Sequence, residues 1–163
     1  MKVFISHKSE DTITAEKHAK DLKTLGFDIY FDKYDPKIIE SNDRALHIKK
    51  KINESTDLLV VITSNTKESW WVPFEIGLST FADIRIASIV YENSPPLPSF
   101  IKKWPIIDTD EKYKQYLVEL QKSKQELLLE SRSFSKSFEG LSPSSMRKSE
   151  LFHRILMTKY GQM

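Results

Sequence analysis

The sequence predicts an α/β fold, a parallel sheet of five short strands covered by helices on both faces. Short apolar runs alternate with stretches of helical period all the way from Val3 to Leu127. One run, Leu58-Leu59-Val60-Val61-Ile62 between Asp57 and Ser64, is continuously apolar, the pattern of a strand buried on both faces. The 163 residues, 39% of them hydrophobic, suit one domain with a single sheet-centred core.

Val3-Phe4-Ile5 is the first strand, and it stops at the polar turn Ser6-His7-Lys8-Ser9. Asp11 or Thr12 is placed to cap a helix that turns Ala15, Ala19 and Leu22 inward, with His18 expected on its exposed, lysine-rich side. Gly26 ends that helix as a C′ glycine does. Phe27-Asp28-Ile29-Tyr30-Phe31 is the second strand, and Asp32 opens a polar loop, broken by Pro36, that runs to Asn42. Residues 44–53 form a helix with Ala45, Ile48 and Ile52 inward. The fourth strand is expected over 85–91 and the fifth over 105–108, with a proline-rich connection between them. Tyr113, Leu117, Leu120 and Leu127 mark a long helix. Residues 131–145 are serine-rich and read as a linker, and 146–159 are amphipathic through Leu151, Phe152, Ile155 and Leu156, a helix expected to dock back or to meet a partner.

Lys+Arg of 25 against Asp+Glu of 23 leaves a formal net charge of +2, too balanced to argue for nucleic acid or an anionic membrane. The absence of cysteine excludes disulfides, a thiol nucleophile and thiolate zinc sites. The four histidines are scattered without metal-ligand spacing, so no metal is expected. Four glycines make neither a P-loop nor a dinucleotide fingerprint. No apolar run approaches the ~20 residues of a membrane helix, and no signal segment precedes Val3, so a cytoplasmic protein is expected.

The stretch from Ser69 through Trp70, Trp71, Pro73 and Glu75 to Gly77 concentrates the chemistry. Ser69 is placed to cap a helix in whose first turn Pro73 is tolerated. Trp71, Glu75, Leu78 and Phe81 or Ala82 then share one stripe, apolar except for Glu75. A buried unpaired carboxylate costs several kcal/mol, so Glu75 is neutralised, paired, or facing a ligand. The plainer alternative is that it favours the positive end of its helix. Trp70 is expected in the core or an interface rather than on a ligand. In open parallel sheets ligands sit beyond the carboxyl ends of the strands, and Ser6, His7, Asp32 and Glu75 all fall at that end.

Taken in order, these residues resemble the TIR (Toll/interleukin-1 receptor) domain family, in particular stand-alone bacterial TIR proteins. The resemblance rests on Val3-Phe4-Ile5-Ser6-His7 with Asp11, Leu25-Gly26, Asp32, Ser55-Thr56-Asp57 leading into 58–64, and Ser69-Trp70-Trp71 with Glu75. It covers residues 1 to about 125. It implies a flavodoxin-like sheet with the second strand at one edge, then the first, third, fourth and fifth. The implied division is a TIR domain over 1–130, a linker over 131–145 and a helical extension over 146–163.

Many TIR domains cleave NAD+ at the nicotinamide–ribose bond with a glutamate at the position of Glu75. The resemblance therefore implies Glu75 as the catalytic residue, Trp71 as a stacking surface, and Phe4, Ser6, His7 and Asp32 lining the nucleotide crevice. NAD+ is then substrate, and no separate cofactor is implied. Self-association through TIR–TIR contacts is expected, with an ADP-ribose or cyclic ADP-ribose-like product read by a downstream effector in antiviral defence signalling. Two departures stand out. The loop 33–42 has no glycine, and the proline-rich 92–104 leaves little room for a crossover helix. The competing readings are a non-catalytic TIR adaptor and another N-glycoside enzyme, such as a nucleoside deoxyribosyltransferase.

Overall fold

The computed structural model describes residues 1–31, 43–134 and 148–162. Five parallel strands form one sheet: β1 (Lys2–Ser6), β2 (Asp28–Phe31), β3 (Asp57–Ile62), β4 (Arg85–Val90) and β5 (Ile106–Ile107). Their order is β2-β1-β3-β4-β5, as the sequence resemblance implied. The helices are α1 (Thr12–Thr24), α2 (Arg44–Asn53), α3 (Trp71–Phe81), α4 (Asp110–Phe134) and α5 (Lys148–Lys159).

Alternation along each strand sorts side chains into two cores, because successive residues point to opposite faces. Val3, Ile5, Leu59, Val61, Ala87, Ile89 and Ile107 meet α1, α4 and α5 through Ala15, Leu22, Tyr116, Leu120, Phe152 and Leu156. Phe4, Leu58, Val60, Ile62 and Ile86 meet α2 and α3 through Ile48, Ile52, Val72 and Ile76. All six residues of β3 are buried, as its apolar run requires of a central strand.

Gly26 closes α1 at φ 75°, the left-handed conformation that glycine adopts without steric cost. Lys124 of α4 reaches back and donates to the Leu25 and Gly26 carbonyls at 3.3 and 2.5 Å. At the amino end of the sheet, β3 and β4 are tied by a two-pronged ion pair. Arg85 Nε meets Asp57 Oδ1 and Arg85 Nη2 meets Asp57 Oδ2, each at 2.8 Å.

Between β4 and β5 the chain makes only a 3-10 turn over Ile101–Lys103 in place of a crossover helix. The short β5 pairs with Ser88 and Ile89, leaving the first half of β4 to another partner. That partner is α5: His153 Nε2 accepts from the Ile86 N–H at 2.7 Å. Gln162, just beyond α5, exchanges two hydrogen bonds with the backbone of Ile106, at 3.0 and 2.8 Å. The terminal helix thus docks back on the sheet, with Phe152, Leu156 and Tyr160 buried.

Several expectations are corrected. His18 is buried at 8% exposure, because small Ala15 and Ala19 beside it make room for its ring against Tyr113. Its Nε2 lies 2.9 Å from the Tyr91 hydroxyl. Trp70 is not in the core but 90% exposed, since α3 turns its Trp71 side to the sheet. Phe81 likewise faces out, leaving Ala82 to continue the inner stripe. The helix α4 continues to Phe134, past the expected start of the serine-rich linker.

Candidate functional site

The carboxyl end of β1 and the first turns of α3 meet where Ser6 hydrogen-bonds Glu75, beside the end of β3. Ser6 is the last residue of β1 and points to the same side as Phe4, toward α3. Glu75 lies one turn into α3, on its inner stripe. Ser6 is 1% and Glu75 2% exposed, and Ser6 Oγ donates to Glu75 Oε2 at 2.5 Å. A hydroxyl donating to a carboxylate oxygen fixes its rotamer. Ser69 starts this segment as expected, its Oγ accepting from the Val72 N–H at 3.2 Å.

Trp71 stands one helical turn before Glu75, half-buried against the second core. The Arg44 guanidinium lies over its ring at 4.3 Å, and the Phe74 ring meets it edge-on at 5.8 Å. Arg44, the first residue of α2, thereby sets a positive charge on the face of the indole. His7 stacks on Phe31 at 4.5 Å, with its Nε2 3.3 Å from Thr12 Oγ1. Phe4 is fully buried in the second core and packs on Tyr30 at 4.9 Å, so its side chain offers a ligand no exposed surface. Asp32 lies outside the described residues, as does the loop that follows it.

The role of Asp11 was missed by the sequence reading, which treated it as a helix cap. Its side chain makes no capping bond. Instead Oδ2 accepts from Thr63 Oγ1 and Oδ1 from Asn65 Nδ2, each at 2.7 Å. Asp11 thus clamps the loop after β1 to the loop after β3. Thr63 and Thr66 close a reciprocal capping box at the start of the 3-10 turn Ser64–Glu68. Only a polar triplet after each strand hinted at this clamp, and its three members are more than 50 residues apart in part, beyond any local pattern.

The arrangement holds a fixed, buried carboxylate, an indole one turn away, and a guanidinium over that indole. Among the described residues no cluster of ligating side chains could hold a metal ion. No described helix is long and apolar enough to cross a membrane.

Comparisons with known proteins bear on this geometry. A protein from Cytobacillus dafuensis, carrying the name of a candidate cyclic ADP-D-ribose synthase, is 33% identical over 82 residues. That match covers 47% of this chain and 22% of that protein, so the chain spans less than a quarter of this relative's length. The TIR domain of the Toll-related receptor TRR-2 from Hydra magnipapillata superposes with a TM-score of 0.58 at 18% identity. That superposition covers 69% of this chain and 88% of the receptor domain, a likeness of fold. A family model described as TIR domain matches residues 3–121, from β1 into α4, and the chain belongs to the TIR domain family.

Proposed function

We propose that this chain cleaves the bond between nicotinamide and ribose in NAD+, with Glu75 as the catalytic residue. The observation that carries the reading is the buried Glu75 carboxylate, held by Ser6 at the carboxyl end of a parallel sheet. The name of the Cytobacillus dafuensis relative points to the same chemistry.

The glycosidic C–N bond breaks heterolytically, and its electron pair moves onto the pyridinium nitrogen. Nicotinamide leaves neutral, so no general acid is needed. Positive charge develops on the ribose as oxocarbenium character, and a fixed carboxylate stabilises it. Water then adds and loses a proton to give ADP-ribose, or a nucleophilic atom of the same molecule closes a ring. Excluding water favours ring closure. Trp71 would stack on a ring of the dinucleotide, Arg44 would oppose its phosphates, and His7 and Asp32 would line the crevice. The protein would act through self-association, and a nucleotide product would be read by a downstream effector.

The test is to incubate purified protein with NAD+, and separately with deoxynucleosides, and to measure released base and products by chromatography. Nicotinamide release is expected from NAD+. The Glu75→Gln protein should fold and lose ~100-fold or more in rate, the usual cost of removing an electrostatic stabiliser. Retained turnover in folded Glu75→Gln protein would remove Glu75 from the chemistry. A folded wild type that leaves NAD+ intact would favour the adaptor reading, and base released only from deoxynucleosides would favour the transferase.

A further inference from the structure

The inner stripe of α3 carries Glu75, while its outer stripe joins neither core cluster of the described residues. Trp70, Pro73, Phe74, Gly77, Thr80 and Phe81 are all exposed, at the spacing of one helical face. Phe81 is 89% exposed, as open as Trp70. A surface helix normally turns charge to water, yet none of these six side chains is ionisable. Trp70, Phe74 and Phe81 together offer on the order of 450 Å² of aromatic surface, in the range of the largest patch a monomer shows. That is more than half of the ~800 Å² each partner contributes to a standard interface.

Gly77 lies in the middle of this stripe. Glycine weakens a helix interior through its conformational freedom, and neither backbone strain nor close packing among the described residues calls for it. Gly77 is not among the residues with positive φ, and a Cβ built there meets nothing within 4 Å. The space above it is open, flanked by Phe74 on one side and Phe81 on the other.

We propose that this face docks a second copy of the chain, with two α3 helices crossing antiparallel at Gly77. The pattern is self-complementary about that residue. At the 1.5 Å rise of a helix, Phe81 lies about 6 Å beyond Gly77 and Phe74 about 4.5 Å before it. A two-fold axis near Gly77 therefore brings Phe81 of each protomer onto Phe74 and Trp70 of the other, an isologous contact. The antiparallel crossing also sets the positive end of each helix against the negative end of its partner. An uncharged face lets two identical surfaces meet without like-charge repulsion, which a charged face would not. This names the surface for the self-association in the proposed function and rests on that part of it. It is read without NAD+, so failure of the catalytic reading leaves it standing.

The experiment is sedimentation velocity and light scattering on the full chain over a hundredfold concentration range, for wild type, Gly77→Gln and Phe81→Ser. Gln is a better helix former than Gly, and its side chain enters open space, so the Gly77→Gln monomer should melt no lower than wild type. It fills the crossing point, and its dimer dissociation constant should rise at least tenfold. Phe81→Ser, at a fully exposed site, should do the same with an unchanged melt. A wild type that stays monomeric throughout overturns the proposal, as does a dimer indifferent to both substitutions.

Discussion

At the scale of single residues, the hydroxyl of Ser6 matters as much as the carboxylate it holds. Glu75 is buried where water reaches almost none of it, and an unpaired charge there would be costly. Hydrogen bonding by Ser6 offsets part of that cost and fixes where Oε2 points. The Ser6→Ala protein should therefore lose turnover roughly tenfold or more, since misplaced catalytic groups lose much of their effect. It should also lose about 1–3 kcal/mol of stability, because a buried acceptor loses its donor. Ser6→Cys and Ser6→Thr separate the two roles: a branched hydroxyl that restores the rate identifies the bond, and restored melting without restored rate identifies packing. Denaturant midpoints and steady-state rates on the three variants decide it. Activity unchanged in Ser6→Ala would detach the serine from the chemistry.

At the scale of elements, α5 finishes the sheet where β5 is too short to do so. The bond from the Ile86 N–H to His153 requires a neutral ring that accepts at Nε2. Burial, reinforced by the Arg85 guanidinium and opposed by Asp83, pushes His153 down to about 4. Released into the unfolded chain, the ring takes up a proton near its ordinary value of about 6.5. Stability is thus full above that value and falls as pH drops from about 6.5 toward 4. Each pH unit crossed inside that window costs up to about 1.4 kcal/mol. His18, lowered chiefly by burial, adds a contribution of the same sign. Thermal melts between pH 7.5 and 4.5 should show the loss, and His153→Gln, whose amide oxygen also accepts, should flatten much of it. An unchanged slope in His153→Gln would mean that α5 is not held through this ring. Sequence periodicity reveals where the elements lie, because β3 is apolar from Leu58 to Ile62 and 44–53 keeps a helical stripe. It reads Trp71 and Glu75 as one inner stripe for the same reason. It fails at His18, where two alanines leave room for a ring that composition assigns to water. It fails again for the Ser6–Glu75 bond and the Asp11 clamp, because partners 69 and 52 residues apart meet only once the sheet has formed.

At the scale of the whole molecule, α3 joins two surfaces that the rest of the fold keeps apart. Its inner face carries the buried Glu75 and the half-buried Trp71, and its outer face presents the aromatic stripe around Gly77. The start of α3 also follows directly on the 3-10 turn whose leading loop Asp11 ties to the loop after β1. Packing a second chain against α3 would restrict the first turns of that helix, where Trp71 sits against Arg44. A better-ordered helix start orients a dinucleotide and excludes water, and both raise the rate of glycosidic cleavage. Specific activity toward NAD+ should therefore rise with protein concentration, following the fraction of dimer measured by light scattering. In Gly77→Gln the same rise should move to higher concentration, because the substitution acts on assembly and touches no group in the crevice. The two curves should superpose once activity is plotted against dimer fraction. Specific activity that is constant across the dilution series, while the dimer fraction changes, would uncouple the outer face of α3 from its inner one.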